Sequence, residues 1–159
     1  MLIRVDVADM KVSRSGDDTL VTHSLGSCIG VAVYDPVSCV GGLLHFMLPS
    51  SSTSPEKAKL KPAMFADTGL VRLFKECYKL GAKKERMVVK VAGGAQVLDS
   101  NSVFNIGKRN YVVLRKILWR NGVLIKSEHV GGTSPRTLYL ELRTGRVWVK
   151  VTGDGEVEL

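Results

Sequence analysis

The stretch that decides the fold is LGSCIGVAVYDPVSCVGGLLHFMLP, residues 25–49. Its segments IGVAVYD (29–35) and CVGGLLHFML (39–48) are apolar and rich in β-branched or large aliphatic residues, which is typical of strands. Between them lies DPVS (35–38), and Asp followed by Pro favours a type I turn. The stretch therefore predicts a β-hairpin.

The hairpin predicts that a thiol and an imidazole lie side by side. If Asp35 lies opposite Ser38, then Cys28 lies opposite His45, and a bulge in the turn would shift this pairing by one or two residues. Directly opposed residues share a face, with Cβ atoms roughly 5 Å apart. Cys28 and His45 are then a candidate nucleophile and base, since an adjacent imidazole lowers a thiol's pKa. The alternative is that both are ordinary core residues, because free cysteine packs as a small hydrophobe.

The turn before the first hairpin strand suits a reacting carbonyl group. Gly26 and the small Ser27 allow a substrate to approach the backbone closely. The backbone N–H groups of Ser27 and Cys28 are candidate donors to the oxyanion that develops in acyl transfer. His23 lies near enough to compete with His45 as the base. Cys39 and Cys77 are expected to be structural.

Periodicity predicts the other elements. Strands are predicted at 2–9, 19–25, 86–95, 123–130, 137–143 and 146–152, helices at 62–80 and 106–121, a surface loop at 49–61, and an irregular segment at 100–105 with Asn105 as a helix N-cap. A β-rich first part followed by αβαβββ predicts an α+β fold, a layered α/β sandwich of mixed β-sheet with two main helices. No linker divides the chain, so one domain over residues 1–159 is expected.

Composition narrows the function classes. The net charge is +8, but the basic residues are scattered and no nucleic-acid-binding motif appears, so we expect an acidic protein partner and no nucleic acid. There is no apolar run long enough for a transmembrane helix and no signal-peptide pattern, which indicates a cytoplasmic protein. The cysteines and histidines lack metal-ligand spacing, and VAGGA (91–95) lacks the dinucleotide-binding pattern, so neither a metal nor another cofactor is expected.

Several motifs in one order resemble the CheD family, the chemoreceptor glutamine deamidases of bacterial and archaeal chemotaxis. The matching segments are LGSCIGVAVYDP (25–36), GGLLHFMLP (41–49), FADTGL (65–70), KVAGGA (90–95), NIGKRN (105–110) and, more loosely, GGTSPRTLYLELRTGRVWVK (131–150). They are spread over nearly the whole chain. Their number and order make the resemblance specific.

The resemblance implies a catalytic set of Cys28, His45 and Thr22, the threonine six residues before the cysteine. It also implies a fold similar to the deamidating domain of bacterial cytotoxic necrotising toxins. Family members convert receptor glutamines to glutamates and can hydrolyse receptor methyl esters. They also bind CheC, a phosphatase of the response regulator CheY.

The chain departs from the family pattern around its third GG pair, residues 131–132. His129 stands where an acidic residue is usual, and Thr133 and Ser134 stand where Asn and Arg are usual. These departures bear on the choice of substrate and partner. The alternative function is a non-catalytic binding module that docks on a CheC-type phosphatase or on a receptor. A hydrolase of small free amides is a third interpretation.

Overall fold

The computed structural model describes residues 1–96 and 105–159. In that part of the chain the strands are β1 (Leu2–Arg4), β2 (Asp9–Ser13), β3 (Thr19–Leu25), β4 (Ile29–Asp35), β5 (Val40–Phe46), β6 (Val88–Gly93), β7 (Ile125–Val130), β8 (Arg136–Glu141), β9 (Val147–Val151) and β10 (Gly155–Glu158). The α-helices are α1 (Pro55–Leu60), α2 (Ala66–Lys79) and α3 (Ile106–Arg120). None of the helices described has the length and apolar character needed to cross a bilayer. Apart from Asn105, the predicted irregular segment lies outside the described residues.

The strands form two five-stranded sheets. The first sheet has the order β1-β3-β8-β9-β10 and the second has the order β2-β5-β4-β6-β7. Each sheet contains one parallel pair, β1 with β3 and β6 with β7, and the other pairs are antiparallel. The predicted α+β class with mixed β-sheet is therefore confirmed, with two sheets rather than one. The expected likeness to the necrotising toxins stays a prediction.

Two apolar clusters place the β4–β5 hairpin in the middle of the molecule. Every residue of both strands is buried, which explains why they read as continuous apolar runs. The inter-sheet cluster includes Leu20, Leu25, Leu43, Leu138 and Leu140. On the other face of the second sheet, residues such as Val31, Leu44 and Phe46 pack with Leu73 of α2 and Leu114 of α3. The layers are therefore sheet, sheet and helices.

The helices differ from the prediction mainly in the 49–65 region. The predicted helix at 62–80 is a 3₁₀ turn at Pro62–Met64 followed by α2, while α1 lies within the predicted surface loop. Helix α1 was missed because none of its six residues is buried, so it has no apolar period. The predicted second helix is confirmed as α3. Asn105 is at its N-cap in a left-handed conformation but makes no side-chain cap bond.

The strands differ from the prediction at both ends of the chain. The predicted strand at 2–9 is divided, because Ala8 has φ +58° and the chain turns there from β1 in the first sheet to β2 in the second. Strand β10 was missed because all four of its residues are exposed and show no alternation of buried and exposed positions. The remaining predicted strands are confirmed with shifted ends.

The β4–β5 hairpin forms, but its register differs by two residues from the prediction. Asp35 lies opposite Val40, so His45 lies opposite Gly30 and not opposite Cys28. A shift of two residues keeps the same face of the sheet. Cys28 therefore lies just before β4, diagonal to His45.

The cause of the shift is a loop of four residues, 36–39, around a buried carboxylate. Asp35 Oδ1 accepts a hydrogen bond from the Val37 N–H at 2.9 Å, and the Cys39 N–H donates to the Asp35 carbonyl at 2.8 Å. Cys39 adopts φ +58° to close the loop. Burial alone would raise the pKa of Asp35, but the Arg86 guanidinium, 2.8 Å away, holds it below its ordinary range.

Candidate active site

Thr22 and His45 meet across the gap between the two sheets. Thr22 on β3 belongs to the first sheet and His45 on β5 belongs to the second, and both are fully buried. The Thr22 Oγ1 lies 2.7 Å from His45 Nδ1 and 2.7 Å from the carbonyl oxygen of Val5. The predicted members Thr22 and His45 are therefore in direct contact, through the threonine hydroxyl.

These contacts fix which ring nitrogen of His45 carries the proton. The Val5 carbonyl only accepts, so the single Thr22 hydroxyl proton is donated to it. Thr22 Oγ1 must then accept from His45, which places the ring proton on Nδ1. Nε2 keeps a lone pair and, among the described residues, has no hydrogen-bond partner. Burial lowers the pKa of His45 to about 4, so the ring is a neutral base near pH 7.

Cys28 lies in a turn whose backbone carbonyls are all held by the protein. The carbonyl of Gly26 accepts from the Ala95 N–H at 2.8 Å, and that of Cys28 accepts from the Gly94 N–H at 2.9 Å. Between them, the Ser27 carbonyl accepts from Asn110 Nδ2 at 2.9 Å. The three successive carbonyls of the GSC turn therefore point into the protein.

The N–H groups of the same turn are different. In the described part of the chain, neither the Ser27 nor the Cys28 N–H donates to another residue, and the Cys28 N–H faces only its own sulfur. Both residues are partly exposed. Unpaired N–H groups beside a nucleophile are what an oxyanion requires. The Ser27 and Cys28 N–H groups stay predicted oxyanion donors.

The electrostatics of Cys28 differ from the sequence prediction. Partial burial raises the pKa of its thiol above the ordinary value, and the Cys28 backbone N–H offsets part of that rise. The prediction that His45 lowers the thiol pKa is therefore wrong for the protein without substrate. At rest, the pair is a neutral thiol and a neutral imidazole, because burial disfavours the charged form of both.

Cys28 and His45 face the same inter-sheet space without a hydrogen bond between them. Cys28 packs on the inter-sheet cluster, and the Thr22 contact directs His45 to that side. Gly30, opposite His45, has no room for a side chain, since a Cβ on it would lie 2.9 Å from Leu138 Cδ2 and 3.0 Å from Leu25 Cδ1. Catalytic contacts of this kind are often long before substrate binds.

The remaining candidates lie elsewhere. His23 is exposed on the outer face of β3, so it does not compete with His45 as the base. Cys77 is fully buried on the inner face of α2, whereas Cys39 is exposed in the hairpin loop. Within residues 1–96 and 105–159, no group of three or more acidic, histidine or cysteine side chains is placed to hold a metal.

The sequence interpretation missed three supports of the site. These are the Val5 carbonyl, the Gly93–Gly94 backbone and Asn110. A signal for Asn110 is present, because it is a polar residue in line with Leu114 and Leu118 on the buried stripe of α3. A polar side chain at a core position usually has specific partners.

Comparisons with known proteins bear on this site. The family model described as CheD chemotactic sensory transduction matches residues 47–151. The probable chemoreceptor glutamine deamidase CheD 1 of Syntrophus aciditrophicus is 54% identical, covering 94% of this chain and 93% of its own length. The probable chemoreceptor glutamine deamidase CheD of Solibacter usitatus is 47% identical, covering 95% and 89%. The first of these alignments leaves too few residues unaligned to omit 22–45, so it includes Thr22, Cys28 and His45.

Solved structures add little. The crystal structure of a Neisseria meningitidis protein from family DUF152 aligns with a TM-score of 0.44 and 12% identity, over 83% of this chain and 64% of that one. Nothing about the site follows from so distant a likeness.

Proposed function

Because this chain belongs to the CheD family, we propose that it is a chemoreceptor glutamine deamidase with Cys28 as nucleophile, His45 as base and Thr22 as the residue that orients His45. The substrates are glutamine side chains in the cytoplasmic domains of chemoreceptors. The substrate class is taken from the names of the two relatives, which are called probable chemoreceptor glutamine deamidases. The geometry of the site supports the residue roles.

The observation that carries the proposal is the directed hydrogen-bond chain from His45 through Thr22 to the Val5 carbonyl. It leaves Nε2 unprotonated and directs its lone pair away from Thr22. A base oriented by a third group, beside a thiol, is the arrangement that nucleophilic acyl transfer uses. General-base assistance is typically worth about 10²–10⁴-fold in rate.

The first half-reaction forms a thioester. His45 Nε2 takes the Cys28 thiol proton as Sγ attacks the carboxamide carbon of the glutamine. The oxyanion that develops is bound by the N–H groups of Ser27 and Cys28. When the C–N bond breaks, His45 returns the proton to the leaving nitrogen and ammonia departs. Proton transfer at the moment of attack suits a pair that is neutral at rest.

The second half-reaction releases glutamate. His45 Nε2 takes a proton from water as the water oxygen attacks the thioester carbon. The C–S bond then breaks, and the proton returns to the Cys28 sulfur. A glutamate methyl ester would enter the same thioester by loss of methanol, so we propose ester hydrolysis as a second activity of the same residues.

The test is mass spectrometry of receptor cytoplasmic fragments after incubation with the protein. We expect individual glutamines to gain the mass difference between an amide and a carboxylic acid. Cys28→Ala should abolish this conversion without lowering the thermal midpoint, and Cys28→Ser should be nearly inactive because a hydroxyl is far less acidic than a thiol. Cys39→Ala is the matched control and should be fully active, since Cys39 lies in the hairpin loop.

The competing function is a binding module without turnover. It would leave receptor glutamines unchanged with wild-type protein, and Cys28→Ala would then change nothing. Conversion by Cys28→Ala at the wild-type rate, in a preparation free of other enzymes, would contradict the nucleophile assignment. A CheC-type phosphatase remains a proposed partner, to be tested by co-purification of the two proteins.

A further inference from the structure

Asn110 is a fully buried side chain that contacts both halves of the site. It lies in the first turns of α3, yet its Nδ2 donates to the Ser27 carbonyl and to the Met47 carbonyl, each at 2.9 Å. Ser27 immediately precedes Cys28, and Met47 is two residues after His45. One side-chain amide thus joins the two backbone segments that carry the proposed nucleophile and base.

The orientation of this amide follows from its partners. Both partners are carbonyl oxygens, which only accept, so the group facing them must be the NH₂ with its two donors. The Asn110 Oδ1 is then left buried and, among the described residues, without a donor. Reversing the amide would lose both bonds and bring three oxygens together. A side chain chosen only for packing would not bury an unpaired oxygen, so the two bonds from Nδ2 are the reason for an amide at this position.

The Ser27 contact determines where the next N–H points. In a trans peptide the C=O and the following N–H point in opposite directions. Because Asn110 draws the Ser27 carbonyl into the protein, the N–H of Cys28 in the same peptide plane is turned the other way. The neighbouring carbonyls of Gly26 and Cys28 are held by Ala95 and Gly94, so the turn has little freedom to rotate.

The start of α3 packs against the loop that holds the GSC turn, and this contact supports the arrangement. A Cβ on Gly107 would lie 2.6 Å from the carbonyl oxygens of Gly94 and Ala95, so the start of the helix rests directly on that loop. The same two loop residues hold the outer carbonyls of the GSC turn. Helix α3 therefore contacts the turn both through its backbone and through Asn110.

We propose that Asn110 is a positioning residue that aims the Cys28 N–H group at the oxyanion and ties the GSC turn to the segment that follows His45. This inference rests on the proposed role of Cys28. It assigns to Asn110 an effect on steps that pass through an oxyanion. Steps at the sulfur that form no oxyanion should not depend on it.

Two small probes separate these effects without a receptor substrate. Acetylation of Cys28 by p-nitrophenyl acetate passes through a tetrahedral oxyanion and releases nitrophenolate. Alkylation of Cys28 by iodoacetamide displaces iodide and forms no oxyanion. Peptide mass spectrometry gives both rates at Cys28, and the ratio of acylation to alkylation measures the oxyanion contribution.

The variants are Asn110→Ala and Asn110→Asp. Both remove the NH₂ group that donates to the two carbonyls at once, and the second keeps the side-chain shape with at most one O–H donor, so the test stands if one of them folds poorly. Loss of a well-placed oxyanion donor typically costs about 10²–10³-fold, and misaiming should cost part of that, so we expect the ratio to fall about tenfold or more. The matched control is Leu114→Ala, which removes a buried side chain one turn along α3 without touching the GSC turn. It should lower thermal stability and leave the ratio unchanged.

The outcomes are distinct. A fall in the ratio for the folded Asn110 variants but not for Leu114→Ala supports the inference. Equal changes in acylation and alkylation, or no change, would show that Asn110 only packs, and would overturn it. Wild-type protein whose Cys28 is not acetylated would overturn it together with the nucleophile assignment. Receptor turnover is measured separately, so failure of the deamidase proposal is distinguishable.

Discussion

The Thr22 hydroxyl sets the state of His45, because it donates to Val5 and accepts from the ring. Thr22→Val keeps the shape and removes the hydroxyl, leaving the Val5 carbonyl and the His45 Nδ1–H unpaired in a buried place. We expect kcat on a receptor fragment to fall by at least about tenfold, since the ring is no longer held in one tautomer. We also expect a loss of stability of about 1–3 kcal/mol.

Rescue by Thr22→Ser separates these two effects. Serine restores the hydroxyl but not the methyl group, so its kcat should return toward wild type even if some stability is lost. Equal kcat values for the valine and serine variants, per folded molecule, would contradict the role of the hydroxyl.

The buried His45 should make stability depend on pH. The folded protein keeps His45 neutral down to a pKa of about 4, whereas the unfolded chain takes up its proton near pH 6.5. Between these values the unfolded chain binds more protons, so stability is full above pH 6.5 and falls as pH drops toward 4. The integrated loss is about 3 kcal/mol. Denaturant unfolding at several pH values measures it.

The control for this prediction is a pair of variants. His45→Gln should flatten the pH dependence in this window, and His23→Gln should not, because His23 is exposed on the outer face of β3. The Asp35 carboxylate does not interfere, because its contribution to stability is lost only as pH falls below its ordinary pKa of 3.8 toward its lowered folded pKa. A wild-type stability that is flat from pH 6.5 to 4 would refute the prediction.

Thr22, Cys28 and His45 show what a sequence can say about a site. Hairpin spacing alone put Cys28 near His45, because both belong to one local unit. Thr22 came only from the family resemblance, since it lies in the other sheet and no local pattern relates sheets to each other. Asn110 was accessible as a polar residue in an apolar stripe, but its partners are backbone carbonyls far away in the sequence.

At the scale of elements, the last residue of β6 supports the GSC turn. Gly93 has φ +114°, and a Cβ there would lie 2.3 Å from the Cys28 carbonyl oxygen. Gly93→Ala must therefore move the turn that carries Cys28. We expect a stability loss of about 1–3 kcal/mol for the backbone strain, together with a large loss of kcat, measured by thermal unfolding and by receptor-fragment turnover.

A second glycine provides the control. Gly122 also has a positive φ, +69°, but nothing lies within 4 Å of a Cβ built on it. Gly122→Ala should have a comparable cost in stability and leave kcat unchanged. A similar loss of kcat in both variants would mean that destabilisation, rather than displacement of Cys28, is responsible.

The hairpin shows the limit of element prediction. Both strands were predicted with nearly correct ends, because continuous apolar runs bounded by turn residues are strong signals. The register differs by two residues from the simplest pairing, a shift that the prediction had left open. Turn residues identify a hairpin, but the loop length depends on the bonds that close it, here those from the Val37 and Cys39 N–H groups to Asp35.

At the scale of the whole molecule, the net charge of +8 predicts long-range attraction to an acidic surface on the receptor. Lys108 and Arg109 are exposed in the first turn of α3, where cations oppose the helix dipole. Lys108 also lines a cleft with Gly94, which binds the Cys28 carbonyl. We expect kcat/KM on a receptor fragment to fall steeply with salt while kcat changes little, because attraction is screened over about 8–10 Å at physiological ionic strength.

Charge reversal locates the surface. Changing Lys108 and Arg109 to glutamate should lower kcat/KM at low salt and flatten its salt dependence. The same reversal at Lys83 and Lys84, which are exposed beyond the end of α2, is the comparison. An unchanged kcat/KM for the first pair would rule it out as the docking surface, and a loss confined to the second pair would place docking there.

The position of Thr22 and His45 on different sheets has a consequence for how activity is lost. Their hydrogen bond crosses the interface between the two sheets. If one sheet slid over the other by a fraction of a residue spacing, this bond would break while every strand stayed paired. The turnover rate then depends on the alignment of the two sheets and not on the amount of secondary structure. In rising denaturant, catalysis should fade while the circular dichroism of the strands is still intact.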